Sequence, residues 1–402
     1  MKALSPILLF ALVTFFIMTF RIGPGDTSYV QFGLIFLAML CYLVFERWRS
    51  WLLWLIIAIS IGAAAASVIV VRHRTAPVYT VHDIILQQES AIRFLLDGVN
   101  PYSATYFATP LEEWHYSATE TNPALYHFVM MPWYLLFSLP FYYFSHRLIG
   151  YYDGRIPLFF LFALILIMAW RLPKNREVKR QALILLAFNP ATLGYLIEGR
   201  ADFFMFAFLF MSFFLLFQKR YLLSAIPLAL AFATKQSVWP IFPLYLAYLV
   251  FKQKNLVRVG QSVALFGLLF CLIVAPFFFW NPKAFSDSTI FYLTGQAENS
   301  YPIAGYGWGM VLNQLGIIGN VHAYYPFWIW QAVFCLPVLA LLLRWLTARP
   351  TVNRLITSYA VFTLVFWYFS RYFNNSHLGY LSTVFLSAWI YSCSKRHSFE
   401  IR

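Results

Sequence analysis

Charge is scarce in this chain: only 11% of its 402 residues are Asp, Glu, Lys or Arg, against about 25% in an average soluble domain. No hydrophilic stretch is long enough for a separate soluble domain, and there is no internal repeat or low-complexity tract. Neither a Walker loop nor a dinucleotide fingerprint is present, and the glycines between Ile303 and Gly309 lack the strand and helix context those motifs require. The four cysteines, Cys41, Cys271, Cys335 and Cys393, all fall inside apolar runs without metal-ligand spacing, so neither a disulfide nor a metal cluster is expected.

What the chain has in abundance is apolar residues, 61% of the total. They recur in runs near the roughly 20 residues a helix needs to cross a bilayer. Polar punctuation divides them into twelve expected spans, at 4–20, 30–45, 51–71, 156–170, 181–197, 202–218, 221–235, 237–251, 260–280, 324–343, 355–370 and 377–393. The predicted fold is all-α, a polytopic transmembrane helix bundle in one integral membrane domain. The first run ends at Arg21 without a small-residue cleavage site and reads as a retained helix. The net charge of +14 is spread over short loops and gives no single basic surface for nucleic acid. With both termini inside, cytoplasmic segments hold 19 of the 29 Lys and Arg residues and three of the 15 acids, including the basic cluster at 171–180 and the tail with Lys395, Arg396 and Arg402. This is the asymmetry of the positive-inside rule.

On that topology residues 72–155 form a first large external loop and 281–323 a second. The apolar stretch 124–144, interrupted by Pro132 and Pro140, reads as a re-entrant or interfacial helix on the outer side, since a crossing there would move the basic cluster outside. Thr80 to Asp97 reads as a helix at the membrane surface, with Glu89–Arg93 and Arg93–Asp97 as four-apart ion pairs on its wet side. The ionisable residues beside the spans gather on the outer face: Asp83, Glu89, Glu198, Arg200, Asp202, Lys235, Arg371 and His377. Groups of this kind are costly near a bilayer and mark functional sites.

Several short motifs carry a family likeness. They are His82-Asp83 with Gly98-Val99-Asn100-Pro101-Tyr102, then Asn122-Pro123-Ala124-Leu125-Tyr126, Asn189-Pro190 followed by Glu198-Gly199-Arg200-Ala201-Asp202, and Ala231-Phe232-Ala233-Thr234-Lys235. In order and sidedness they resemble the GT-C superfamily of integral membrane glycosyltransferases, over most of the chain from Val81 onward and most closely its bacterial mannosyltransferase-like branch. Ala124 stands where that pattern has a proline.

The resemblance implies an inverting hexosyl transfer from a polyprenyl-phosphate-linked sugar donor to a glycan or glycolipid acceptor, in a cell inner membrane with the site on its non-cytoplasmic side. A phosphate leaving group needs positive charge or hydrogen-bond donors, whereas the acceptor hydroxyl needs a base. Asp83 is the candidate base, although Thr80-x-x-Asp83 also has the spacing of a capping box. Glu89, Tyr102, Arg200, Asp202, Lys235, Arg371 and His377 are candidate substrate-binding residues. Lys235 and Arg371 suit the donor phosphate or, equally, headgroup snorkelling, and Arg200 with Asp202 suits an ion pair that fixes the loop. No cofactor is assigned; a divalent metal held by Asp83, Glu89 and Asp202 is compatible with the residue types, but no spacing demands one. Tyr292, Tyr301, Tyr306 and Trp308 in the second external segment suit sugar stacking or a cover over a lipid tail. Three other classes fit a polytopic chain: a transporter or lipid-linked glycan flippase, which would place charges near the midplane, a glycan polymerase or ligase, and a non-catalytic assembly subunit.

Overall fold

The computed structural model describes residues 4–19, 27–75, 78, 81–115 and 117–395. It is 74% helical with almost no strand, an all-α architecture. Helix covers most of each of the twelve apolar stretches, but 181–197 is broken between Ala187 and Leu193 and others fall short at their ends. Among the described residues, three continuous helices are long and apolar enough to cross a membrane: Glu46–Thr75, Leu256–Trp280 and Phe327–Ala348. Four shorter apolar helices, Leu4–Thr19, Ser28–Val44, Asp202–Phe217 and Tyr221–Phe232, accompany them. The long helices leave large apolar side chains on the outside, among them Leu268, Leu272 and Phe279 on one, and Trp328, Leu336 and Leu341 on another. Water penalises such surfaces and hydrocarbon does not.

The centre of the bundle is the helix Asp202–Phe217, in which Asp202 to Phe210 are buried without interruption. It packs against Arg155–Arg171, Tyr221–Phe232 and the final helix Asn375–Lys395. A helix apolar all round is one surrounded by other elements, and here the filling is largely aromatic. Phe204 meets Tyr134 edge-on at 4.9 Å and Phe137 at 5.4 Å, geometry that aromatic quadrupoles favour.

Local sequence chemistry sets the breaks. At Asn189-Pro190 the helix Arg176–Ala187 stops and Leu193–Glu198 begins, because proline cannot donate to the ladder; Asn189 Oδ1 accepts from the Ala191 amide. Gly199, at φ +95°, then ends the short helix, and a Cβ there would run into Ile85 and Arg155. The stretch 124–144 is not one helix. It divides into Pro123–Leu125, Trp133–Leu136 and Leu139–Ile149, the longest covering about 16 Å at 1.5 Å per residue.

The expected surface helix differs more. It runs Asp83–Leu96 with His82 as its N-cap, and Ile85 to Ile92 are all buried. Thr80, the residue expected to cap it, lies outside the described residues, as do Arg396 and Arg402. The four-apart pairs do not form: Arg93 donates to Ser90 Oγ, and Glu89 is taken by Arg72. Glu89 faces protein and pairs with a neighbouring helix, whereas Arg93 and Asp97 remain exposed.

One small sheet joins the second external segment to the connection before the last helix. Strand β1 (Ala304–Gly305) pairs in parallel with β2 (Tyr372–Phe373), Ala304 opposite Tyr372 and Gly305 opposite Phe373. Gly305 sits at φ +91°, where a Cβ would strike the Phe373 carbonyl, so the close approach depends on glycine.

Candidate functional site

A polar cavity of about 470 Å³ lies where the ends of several of these helices and the connections between them meet. Asp83, Arg200, Asp202, Lys235 and His377, all singled out from sequence, line it together. Each arrives by a different route. Asp83 is the first residue of its helix, where a carboxylate suits the helix dipole. Arg200 and Asp202 follow the turn at Gly199, Lys235 ends the run after Tyr221–Phe232, and His377 lies in the first turn of the final helix. The His82 amide donates to the Glu198 carbonyl at 2.8 Å, tying the start of the Asp83 helix to the Arg200 turn.

Asp83 Oδ1 lies 2.6 Å from His82 Nδ1, and Asn122 Nδ2 donates to its other oxygen at 3.4 Å. Burial alone would raise this carboxyl; the His82 charge and hydrogen bond, with Asn122, outweigh it and hold Asp83 below the usual carboxylate range. Trp114 borders the same side, its indole 5.8 Å from the His82 ring and its Nε1 donating to the Val81 carbonyl.

Each cation of the lining has a carboxylate partner. Lys235 Nζ donates to Asp202 Oδ1 at 2.6 Å, and Arg200 Nε donates to Glu198 Oε2 at 3.2 Å while its guanidinium covers the Tyr195 ring. The expected Arg200–Asp202 pair is therefore replaced by two pairs with other partners. His377 Nδ1 is shared between the Asn374 amide and side chain, and Trp367 meets its ring edge-on at 4.5 Å.

Glu89, Tyr102 and Arg371 are not brought to this cavity. Glu89 accepts both Arg72 Nη atoms at 2.7 Å and the Gly154 amide at 3.0 Å. The same Arg72 reaches Asp153, which Arg155 grips through Nε and Nη2. This buried cluster joins four elements and leaves the Glu89 carboxylate occupied. Tyr102 is 2% exposed and packs on Phe128, Phe277 and Phe285 while its hydroxyl donates to the Met130 carbonyl. Arg371, also 2% exposed, donates to the backbone carbonyls of Tyr301, Val321, His322 and Ala323 at 2.5–3.2 Å. Burial pushes it down to about 10. It braces the second external segment rather than offering a free fork to an anion. Among the described residues no three His, Cys, Asp or Glu side chains converge as a metal site would need; Asp83, Glu89 and Asp202 have separate partners.

A second cavity, of about 600 Å³ and mostly apolar lining, adjoins the first. Trp328, Phe327, Phe362, Phe366 and Trp239 contribute to it, and Arg371 lies at its edge. The two cavities share Gln236, Ser237, Leu293, Tyr372 and His377. Of the aromatics noted in the second external segment, Tyr292, Tyr301 and Tyr306 line the polar cavity, whereas Trp308 packs against Trp330 and Phe369. Gln87, Trp114 and Gln236 are lining residues that sequence reading did not single out. Gln87 carried a usable signal, being four residues after Asp83 on the same helix face.

No family model, curated protein or solved structure matches the chain.

Proposed function

We propose that this chain is an inverting membrane glycosyltransferase, moving a sugar from a polyprenyl-phosphate donor to a glycan or glycolipid acceptor on the non-cytoplasmic face. The observation that carries the reading is the paired cavity: a chamber lined by Asp83, Asp202, Lys235 and Arg200, sharing a wall with a large apolar chamber. An amphipathic ligand with a polar head and a long hydrocarbon tail fits that division.

In this reading the tail lies in the apolar chamber and the phosphate faces Lys235 and Arg200. Asp83 takes the proton of the acceptor hydroxyl. The hydroxyl oxygen bonds to the anomeric carbon as the carbon–phosphate oxygen bond breaks, and the lipid phosphate leaves with the electron pair. Configuration inverts in one displacement, without a sugar–enzyme intermediate. Lys235 stabilises the charge developing on the leaving oxygen, an electrostatic contribution that grows in a water-poor site. The accompanying topology is twelve spans with both termini cytoplasmic, in the inner membrane of a cell envelope. Low exposure of Asp83, with His82 and Asn122 already oriented on it, supports its role as base.

The test is transfer of radiolabelled sugar from a panel of polyprenyl-phosphate sugars to a membrane-lipid and glycan extract, with wild type and Asp83→Asn purified in parallel. Transfer by wild type that vanishes in a folded Asp83→Asn protein is the expected result. Transfer that survives moves the base elsewhere; no transfer from any donor, with lipid-substrate flux in proteoliposomes, replaces the enzyme by a transporter.

A further inference from the structure

Gln87 and Gln88 stand side by side in the Asp83 helix, and their amides are used differently. Gln88 is engaged at both ends: Nε2 donates to Ser138 Oγ at 2.9 Å and Oε1 accepts from the Tyr152 hydroxyl at 3.2 Å. Gln87 is engaged at one. Its Nε2 donates to the carbonyls of Ala124 and His127 at 2.6 and 2.8 Å. Those two bonds consume both amide hydrogens, and two carbonyl acceptors fix which end of the group is nitrogen. Gln87 Oε1 then has no hydrogen-bond partner, although the side chain is fully buried. Leaving a buried acceptor unpaired is expensive, and native proteins tolerate it mostly where something else arrives to pair with it.

The position of this acceptor indicates what arrives. Gln87 lines the polar cavity, as do Ala124 and His127, which hold its amide. It lies one helical turn from Asp83, so the two Cβ atoms stand roughly 5–6 Å apart on one face. An ionised Asp83 and a Gln87 that has spent its hydrogens both accept and cannot donate. Their flank rejects phosphate oxygens and ether oxygens, and it pairs with O–H groups. The cations of the cavity, Lys235 and Arg200, are paired with Asp202 and Glu198.

We propose that Gln87 Oε1 reads a saccharide hydroxyl next to the group held at Asp83, making it a specificity-determining residue of the glycosyltransferase site on which this inference rests. Because that oxygen is covered, seating a hydroxyl on it entails a small shift of the wall. The hydroxyl belongs either to the transferred sugar or to the acceptor, and the two sources separate by experiment.

The test is a set of single-deoxy donors and single-deoxy acceptors, each assayed for kcat/KM with wild type, Gln87→Met and Gln87→Glu in detergent. Wild type should lose roughly 10- to 100-fold on one analogue. A donor analogue places the hydroxyl on the transferred sugar, an acceptor analogue on the acceptor. Gln87→Met should be slower throughout yet no longer distinguish that analogue from its parent. Gln87→Glu lacks the two hydrogens that the Ala124 and His127 carbonyls accept, so its oxygens are no longer held in place; a folded Gln87→Glu should also lose the discrimination, and it carries the test if Gln87→Met fails to fold. An unchanged discrimination ratio in a folded Gln87→Met, or no deoxy analogue with a deficit in wild type, overturns the proposal while leaving glycosyl transfer standing. Absence of transfer from every fully hydroxylated donor overturns both.

Discussion

Lys235 Nζ and Asp202 Oδ1 lie 2.6 Å apart, each side chain no more than 20% exposed. Neither charge is tolerated alone at such a place, because the survivor is left desolvated without its counter-charge. Lys235→Ala should therefore destabilise the fold by on the order of 3 kcal/mol, and Lys235→Met with Asp202→Asn should recover much of it. Denaturant melts of the single and double variants check this. A double variant that is stable but has at least a tenfold higher KM for a lipid-phosphate donor would assign Lys235 a ligand role beyond the pair.

Asp83 makes a pH prediction. Its carboxyl is held below the ordinary 3.8, so it is ionised as a base throughout neutral and mildly acidic conditions, and protonation begins only below about pH 4. The kcat/KM profile should show no acidic limb from Asp83 between pH 5 and 8. Removing the pairing with His82→Ala leaves burial opposed chiefly by Asn122, so the limb should move upward. An unmoved limb in a folded His82→Ala protein refutes the assignment.

Arg371 should behave as a brace. Four carbonyls accept from its planar fork, three of them in consecutive residues, Val321 to Ala323. Arg371→Ala should loosen the segment that ends there and speed its cleavage by protease in detergent. Arg371→Lys should restore little, since a point charge cannot serve diverging carbonyls together. Wild-type cleavage rates in both variants would exclude the bracing role.

The buried Arg72–Glu89–Asp153–Arg155 cluster should set acid tolerance. Burial opposes ionisation of Asp153, but its bonds to Arg155 and His73 and the Arg72 charge drive its carboxyl far down. A depressed carboxylate contributes stability that is complete above its unfolded value near 3.9 and is lost only as pH falls through the folded value. Asp153→Asn should thus lower stability at pH 7 and reduce the difference between pH 7 and pH 3. Glu89→Gln, which leaves Arg72 with one carboxylate fewer, should cost about 3 kcal/mol at neutral pH. Thermal melts across that range measure both.

The helices were legible because apolar period and punctuation are local properties. Asp83, Arg200, Asp202, Lys235 and His377 were legible as candidates for a related reason, since charge beside an apolar run is visible in one dimension. Their partners were not. Lys235 pairs with a residue 33 positions away and Arg72 with one 81 away, and four-apart spacing on the Asp83 helix misdirected Glu89 and Arg93 to each other. Tyr102 and Arg371 failed as ligands because burial, which composition does not reveal, closed them in. Gln87 escaped notice because a glutamine in a helix is unremarkable until both its hydrogens are accounted for.

The wall common to the two chambers has a consequence for how such a protein can change. Gln236, Ser237, Leu293, Tyr372 and His377 touch both spaces, and Gln236 also holds two backbone carbonyls, Val129 and Thr289, in place. Enlarging or trimming any of the five to suit a longer or bulkier hydrocarbon would disturb the headgroup chamber in the same stroke. On the proposed reading, chain-length preference adapts more freely at Trp328 and Phe366, which line the apolar chamber alone.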